Sequence, residues 1–423
     1  MSLIFYHIFA MLLLYSSIMY AATNTAYDLR SAINDDPRSR AARALVESKE
    51  AEVDGAYSAY YPTISSTGSM GDIQNDDPLL RDGQKRVLGL SIAQPIPIFG
   101  KERALVEAAQ AALKAEKVNL GKVQQEIYYE ILDTAFQVAS LRNTMQIRGA
   151  IEKLLRNRVK ALHESVRGGG ARITDLGLAQ SKLSQAIAYH TNAKADYNSM
   201  RAKLTSLLPN FDPQLLMTEL KPERLGLQAP ESVDQALLLA KQNATTIRKA
   251  QAEVERAKAE HDVSKANIWP QLTLNFQVQR GSFGEISQNS QGIFLGFNAP
   301  LFEGGSRWSA SKSAAYRFTS AQEALRAELR TLEQRIRELW TRWQTLKGSV
   351  LSWERSIKEQ ETTLKLTREQ MLGGGATKID VSKAQEIILE SKLQGVQQRL
   401  EHNRIFLQLL LEMGELNIPF VGI

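Results

Sequence analysis

The chain has no cysteine in its 423 residues. This excludes disulfides, thiolate metal sites and a lipid-bearing N-terminal cysteine, and it suits an oxidising compartment. Proline is missing from two long windows, Pro97 to Pro209 and Pro300 to Pro419. A proline inside a helix costs about 3 kcal/mol, so two such windows of over 100 residues read as helix. Histidine is scarce, and His7, His163, His190, His261 and His402 are dispersed without metal-ligand spacing. No Gly-Lys-Ser/Thr follows the glycine triplets, and a helical stretch rather than a strand precedes each, so they are not phosphate loops. No catalytic constellation, cofactor site or metal site is expected, and the chain reads as a non-enzyme. Charge of one sign is not concentrated either: 52 basic residues stand against 46 acidic, a net +6 spread along the helical stretches. Nucleic acid would need a basic face or stripe; solvated helix faces account for this pattern.

Long hydrophobic runs are confined to the N-terminus. MSLIFYHIFAMLLLYSSIMYAA, followed by small residues at Ala21 and Ala22, resembles a secretory signal with a poor basic region. Cleavage is expected near Ala21–Ala22, giving a signal peptide over 1–22. The alternative is a membrane anchor, because Ser2 to Tyr20 is nearly long enough to span a bilayer. No transmembrane helix is expected in the mature chain.

What is present is present twice. VRGGGARITDLGLAQSKL is echoed by MLGGGATKIDVSKAQEII, so that Gly169, Asp175 and Ala179 have counterparts in Gly374, Asp380 and Ala384, each 205 residues on. An aromatic-proline pair precedes each copy's long stretch, Tyr61-Pro62 and Trp269-Pro270. QPIPIFG (Gln94 to Gly100) and NAPLFEGG (Asn298 to Gly305) then open the two proline-free windows. Gly168-Gly169-Gly170 and Gly373-Gly374-Gly375 divide those windows, since glycine ends a helix and supplies the positive φ of a reversal. Each window is therefore a helical hairpin with one long arm, about Lys101 to Arg167 and Ser306 to Leu372. At 1.5 Å per residue, each arm is roughly 100 Å long. The second carries Leu325, Leu329, Leu332, Ile336, Leu339, Trp343, Leu346, Val350, Trp353 and Ile357, a 4,3-spaced seam that implies a left-handed supercoil. The first has a looser version in Val138, Leu141, Met145, Leu155, Leu162 and Val166.

Strand patterns separate the shorter helices from the arms. In Gln271 to Gln279, Leu272, Leu274, Phe276 and Val278 alternate with Thr273, Asn275 and Gln277. A loop is expected over Arg280 to Gly292, after which Ile293, Leu295 and Phe297 alternate again. In the first copy Leu88, Leu90 and Ile92 alternate after an acidic loop around Asp72, Asp76 and Asp77. Strands of nine to ten residues with one apolar and one polar face match the membrane β-barrel pattern. Two hairpins give only four strands, and a bilayer leaves no strand edge unpaired, so closure requires several chains. The competing reading is a periplasmic coiled-coil structural protein with soluble hairpins.

The duplicated unit of helix, aromatic-Pro, β-hairpin, QP or AP-x-F-x-G, long helix and glycine turn resembles the TolC-type outer-membrane efflux proteins. Its hairpin-turn motif is matched by Gly169, Ile173, Asp175, Leu176 and Ala179, and by Gly374, Lys378, Asp380, Val381 and Ala384. The resemblance implies a mainly α protein with a membrane β-barrel, a homotrimer of twelve strands over a twelve-helix periplasmic tunnel. It implies repeat 1 over 23–208 (hairpin about 63–94, turn 168–170), an equatorial linker over 209–231, repeat 2 over 232–413 (hairpin about 271–299, turn 373–375) and a tail over 414–423. The tail is too short for much of an equatorial cap. The tip, Gly168 to Gly170 with Ile173, Asp175 and Ala179, and Gly373 to Gly375 with Lys378, Asp380 and Ala384, would dock a periplasmic adaptor. Behind the adaptor would stand an inner-membrane RND or ABC transporter, and around the barrel outer-membrane lipid. Lys365 and Arg368 stand where relatives place an acidic entrance, making them candidate gate residues. The arm ELWTRWQTLKGSVLSWE is similar to the type I secretion branch and QPIPIFGK to efflux members, so small-molecule or metal efflux and protein secretion both stay open.

Overall fold

The computed structural model describes residues 29–74, 83–209, 227–283, 286–299 and 301–416. The expected signal peptide, Asp76 and Asp77, most of the linker and the last residues of the tail lie outside these. Among the described residues the order is α1 (29–35), α2 (Pro37–Tyr57), β1 (Thr63–Ile73), β2 (Gly83–Ile96), α3 (Lys101–Arg167) and α4 (Ile173–Leu207). After these come α5 (Val233–Asn243), α6 (Thr245–Ala266), β3 (Gln271–Phe283), β4 (Ile286–Asn298), α7 (Ser306–Leu372) and α8 (Lys378–Met413). The chain forms two compact units, residues 1–40, 122–245 and 330–423 in one, and 41–121 and 246–329 in the other. Each unit draws on both copies of the duplication, and α3 and α7 run through both.

The first unit is helical. Its core is built on α3, where Ile127, Tyr128, Ile131, Leu132, Ala135, Phe136 and Val138 are buried, and on the end of α8. Leu407, Leu409, Leu410, Met413 and Leu416 are fully enclosed there beside Ala236, Leu237 and Ala240 of α5. A Cβ on Gly414 would lie 2.2 Å from the Asn243 carbonyl oxygen, and Gly414 itself has φ +72°. Only glycine lets α8 end this close to α5. The seam on α7 faces inward throughout: Leu332, Ile336, Leu339 and Trp343 are buried and the other six positions half-buried. Trp343 stacks on Phe406 of α8 with ring centroids 5.5 Å apart, so the tryptophan-rich stretch packs one arm of the hairpin on the other.

The second unit packs helices through small buried residues, Ala42, Ala104, Ala115 and Ala252, which allow close approach. It carries one antiparallel sheet in the order β1-β2-β3-β4. The strands have 11, 14, 13 and 13 residues. The loop expected over Arg280 to Gly292 is therefore corrected. β3 pairs with β4 as far as Phe283 and Ile286, and Asp72 belongs to β1 opposite Gln84. Apolar alternation stops at Val278, but backbone pairing continues through the polar residues around Arg280 and Asn289 to the final pair Phe283 and Ile286.

Register puts directly opposed side chains on one face. One face carries Ile64, Leu88, Leu90, Ile92, Leu272, Leu274, Phe276, Val278, Ile293, Leu295 and Phe297. The other carries Thr63, Ser65, Thr67, Ser91, Ala93, Thr273, Asn275, Gln277, Gly292 and Gly296, with Ser65 and Ser91 sharing a 2.6 Å hydrogen bond. Phe294 is one large exception and lies over Gly292.

Candidate functional site

The two glycine turns have the same local structure. Gly169 and Gly374 have φ +75° and +82°, and the glycines on either side do not need positive φ. Gly170 N–H donates to the Ser165 carbonyl and Gly375 N–H to the Gln370 carbonyl, each at 2.8 Å. Gly169 N–H donates to Val166 and Gly374 N–H to Met371. This paired 6→1 and 5→2 arrangement closes a helix C-terminus by satisfying its orphan carbonyls. One left-handed residue per turn is therefore enough, and the flanking glycines keep the reversal bare.

The next helices start at once. Asp175 and Asp380 both occupy the third helical position, where a carboxylate meets the positive end of the helix dipole. At α8 the cap is complete: Thr377 Oγ1 accepts from Asp380 N–H, and Asp380 Oδ2 accepts from Thr377 N–H at 3.0 Å and its hydroxyl at 2.6 Å. These hydrogen bonds hold the Asp380 carboxyl below its ordinary pKa. At α4 Arg172 provides no side-chain cap. The repeated aspartate thus has a local structural task, which the motif spacing alone did not show.

Around the turns apolar side chains are bare. Ile173 is 75% exposed and Leu372 85%, with Leu178, Leu366 and Ile387 also outward. Lys378 is exposed, Ala384 half-buried and Ala179 buried. Lys365 and Arg368 are exposed on α7, each one residue past a half-buried seam position, Leu364 and Thr367. They flank the seam and make no ion pair among the described residues.

Behind the turns, α3, α4 and α8 pack through Ile151, Leu155, Ala186 and Leu393. Sequence reading missed the polar contact beside this cluster. Arg158 is 8% exposed; its Nη1 lies 2.6 Å from Glu386 Oε2 and its Nε donates to Ser382 Oγ at 2.9 Å. Lys182 of α4 also reaches Glu386, at 3.7 Å. The available signal was an arginine at a seam position, three residues after Leu155 and four before Leu162. Further along, His190 Nδ1 of α4 lies 2.7 Å from Glu152 of α3, which with Arg156 holds that carboxyl below its usual range.

The pattern of the outer membrane efflux protein family matches residues 29–210 and 236–415, nearly the whole of both copies. The chain belongs to that family. Protein CyaE of Bordetella pertussis is 26% identical over 65% of this chain, which spans 60% of CyaE's length. Outer membrane efflux protein BepC of Brucella suis is 24% identical over 84% of this chain and 77% of its own length. Among solved structures, CusC superposes with a TM-score of 0.77 at 15% identity over 92% of this chain and 91% of CusC, a likeness of fold. Relatives named for efflux and for protease secretion both occur. As a member of the outer membrane efflux protein family, the chain is an outer-membrane protein reaching into the periplasm. No described helix is long and apolar enough to cross a membrane.

Proposed function

We propose that the protein is the passive outer-membrane duct of a tripartite export system, closed as a homotrimer with a twelve-stranded barrel. The observation that carries this reading is the sheet, apolar on one face and polar on the other, with β1 and β4 as its edges. In hydrocarbon each unpaired backbone group costs several kcal/mol, so β4 must pair with β1 of a further copy until the sheet closes. The apolar face then meets lipid, and Ser65, Thr67, Asn275 and Gln277 line a wet lumen. The seams on α3 and α7, half-buried over much of their length, are completed by neighbouring protomers as a periplasmic helical wall.

The bare apolar side chains at the two glycine turns support the tip as the adaptor-docking surface, with an inner-membrane RND or ABC pump behind the adaptor. Lys365 and Arg368 flank the seam close to that tip, a placement suited to an entrance gate. The domain plan of signal peptide, two repeats, equatorial linker and tail belongs to the same reading. The test is extraction and conductance. The full chain should require detergent for release from the outer membrane, run as a heat-modifiable trimer, and conduct ions in planar bilayers. Release by salt or alkaline washing, with no conductance, would sink the duct and favour a periplasmic coiled-coil protein.

A further inference from the structure

The apolar face of the sheet ends in two arginines. Along β2 its side chains run Ile96, Gln94, Ile92, Leu90, Leu88 and then Arg86; along β3 they run Leu272, Leu274, Phe276, Val278 and then Arg280. Arg86 is opposite Ser282 and Arg280 opposite Leu88, so the arginines are diagonal neighbours, within reach of one another's long side chains. Gly68 of β1 flanks Leu88, and Asn289 of β4 is opposite Arg280. These residues line an open recess of about 620 Å³, which Gly68, lacking a side chain, leaves unfilled.

Among the described residues neither arginine is paired with a carboxylate, and Arg86 donates to Gln84 Oε1 at 3.0 Å. Asp72, opposite Gln84 and two residues from Arg86's partner Met70, is unpaired with either. Two cations held this close on one sheet face repel each other, an arrangement that an anion between them would relieve.

Depth identifies the anion. From Ile96 to Leu88 the strand rises about 26 Å, or roughly 20 Å along a membrane normal at the tilt usual for barrels. The helix junction marks the periplasmic side, so the arginines fall where the apolar band meets the outer-leaflet headgroups. The outer leaflet is built from lipid A, a glucosamine lipid bearing phosphates. Guanidinium binds phosphate through paired, charge-assisted hydrogen bonds. We propose that Arg86 and Arg280, assisted by Asn289, form a site on the outer barrel wall for a lipid A phosphate. The inference rests on the barrel reading above.

The full-length trimer would be reconstituted in phosphatidylcholine vesicles doped with lipid A, re-extracted, and its retained lipid counted by native mass spectrometry. Wild type should retain lipid A, and the Arg86→Gln/Arg280→Gln variant about tenfold less. Wild type should retain dephosphorylated lipid A no better than phosphatidylcholine. Equal retention of the phosphorylated and dephosphorylated lipids by wild type overturns the site without relying on any variant. So does equal retention by wild type and the double variant, or complete displacement by millimolar inorganic phosphate, which would indicate a free-anion site. The heat-modifiable trimer band, read on the same samples, separates the two proposals. A trimer without lipid preference removes the lipid site alone, and absence of the trimer removes the barrel with it.

Discussion

At Gly169 and Gly374 backbone conformation decides more than space, because nothing lies within 4 Å of a Cβ placed at either position. An L-residue with φ near +75° costs about 1–2 kcal/mol. Gly168 has negative φ, and a Cβ there would meet the Glu164 carbonyl oxygen at an ordinary 3.8 Å. Gly169→Ala and Gly374→Ala should therefore weaken protection of the Gly170 and Gly375 amides in hydrogen exchange by about 5- to 30-fold, while Gly168→Ala leaves it unchanged. Equal effects at all three would show that left-handed geometry is not what closes the turn. A larger pair, Gly169→Leu with Gly374→Leu, should abolish transport while trimers still reach the outer membrane, as expected of a docking tip. Asp380 offers a pH test. Its carboxyl titrates below the usual aspartate value because Thr377 hydrogen-bonds its ionised form. A group with a depressed folded pKa stabilises above its unfolded pKa and loses that contribution as pH falls through the folded one. The exchange rate at the first turn of α8, taken relative to that of an unprotected amide at the same pH, should be flat above about pH 4 and rise below it, with Thr377→Ala raising it at neutral pH. A rise centred near pH 6 would point to another group.

Among the elements, the helices were the legible part. Absence of proline and the glycine triplets set α3 and α7 to Lys101–Arg167 and Ser306–Leu372, the bounds observed. The strands were legible only while apolar side chains marked one face. β1, TISSTGSMGDI, has three large apolar residues in eleven and exists because β2 pairs with it. The ends of β3 and β4 carry Arg280, Ser282, Ser287 and Asn289 where hydrophobic alternation would have stood. Periodicity reports burial, and these ends have none to report. Arg158 escaped for the opposite reason, since a charged residue in a seam is invisible without the Glu386 and Ser382 that accept from it. Facing tests the sheet directly. Leu274 is on the apolar face and Asn275 on the polar one. A mid-membrane arginine toward lipid costs about 2–4 kcal/mol, whereas a lumen accepts charge. Leu274→Arg should reduce the heat-modifiable trimer in outer membranes, and Asn275→Arg should leave it intact. Loss with both, or with neither, would mean the sheet does not cross a bilayer in this orientation.

At the scale of the molecule, the proposed trimer would carry the pairing of copies within a chain over to pairing between chains. Phe99, between β2 and α3, stacks on Trp269 ahead of β3, with ring centroids 5.9 Å apart and planes 4° from parallel. The counterpart of Phe99 is Phe302, two residues after Pro300 as Phe99 is two after Pro97, and the counterpart of Trp269 is Tyr61. Phe302 is 88% exposed and Tyr61 64%; in the trimer proposed above, each would meet the other across the boundary between protomers. The register should transfer as well. Ile96, just before Pro97, is opposite Leu272, two after Pro270. By the same count Ala299 should oppose Ile64 of the neighbouring protomer, and Leu295 should oppose Gly68. This keeps the apolar face continuous and places Phe297 and Leu295 beside the small Ser66 and Gly68. Because the chain has no cysteine, introduced pairs report cleanly. Directly opposed residues in an antiparallel ladder have Cα atoms about 4.5–5.5 Å apart, within disulfide range. Oxidising Leu295→Cys/Gly68→Cys should give dimer and trimer bands without reductant, and a short thiol-reactive bis-maleimide linker should do the same for Phe302→Cys/Tyr61→Cys. Phe99→Cys/Trp269→Cys should cross-link within one chain and give no ladder. A ladder from the Phe99 pair, or from Leu295 with Met70 instead of Gly68, would mean that the copies do not repeat between chains the pairing they make within one.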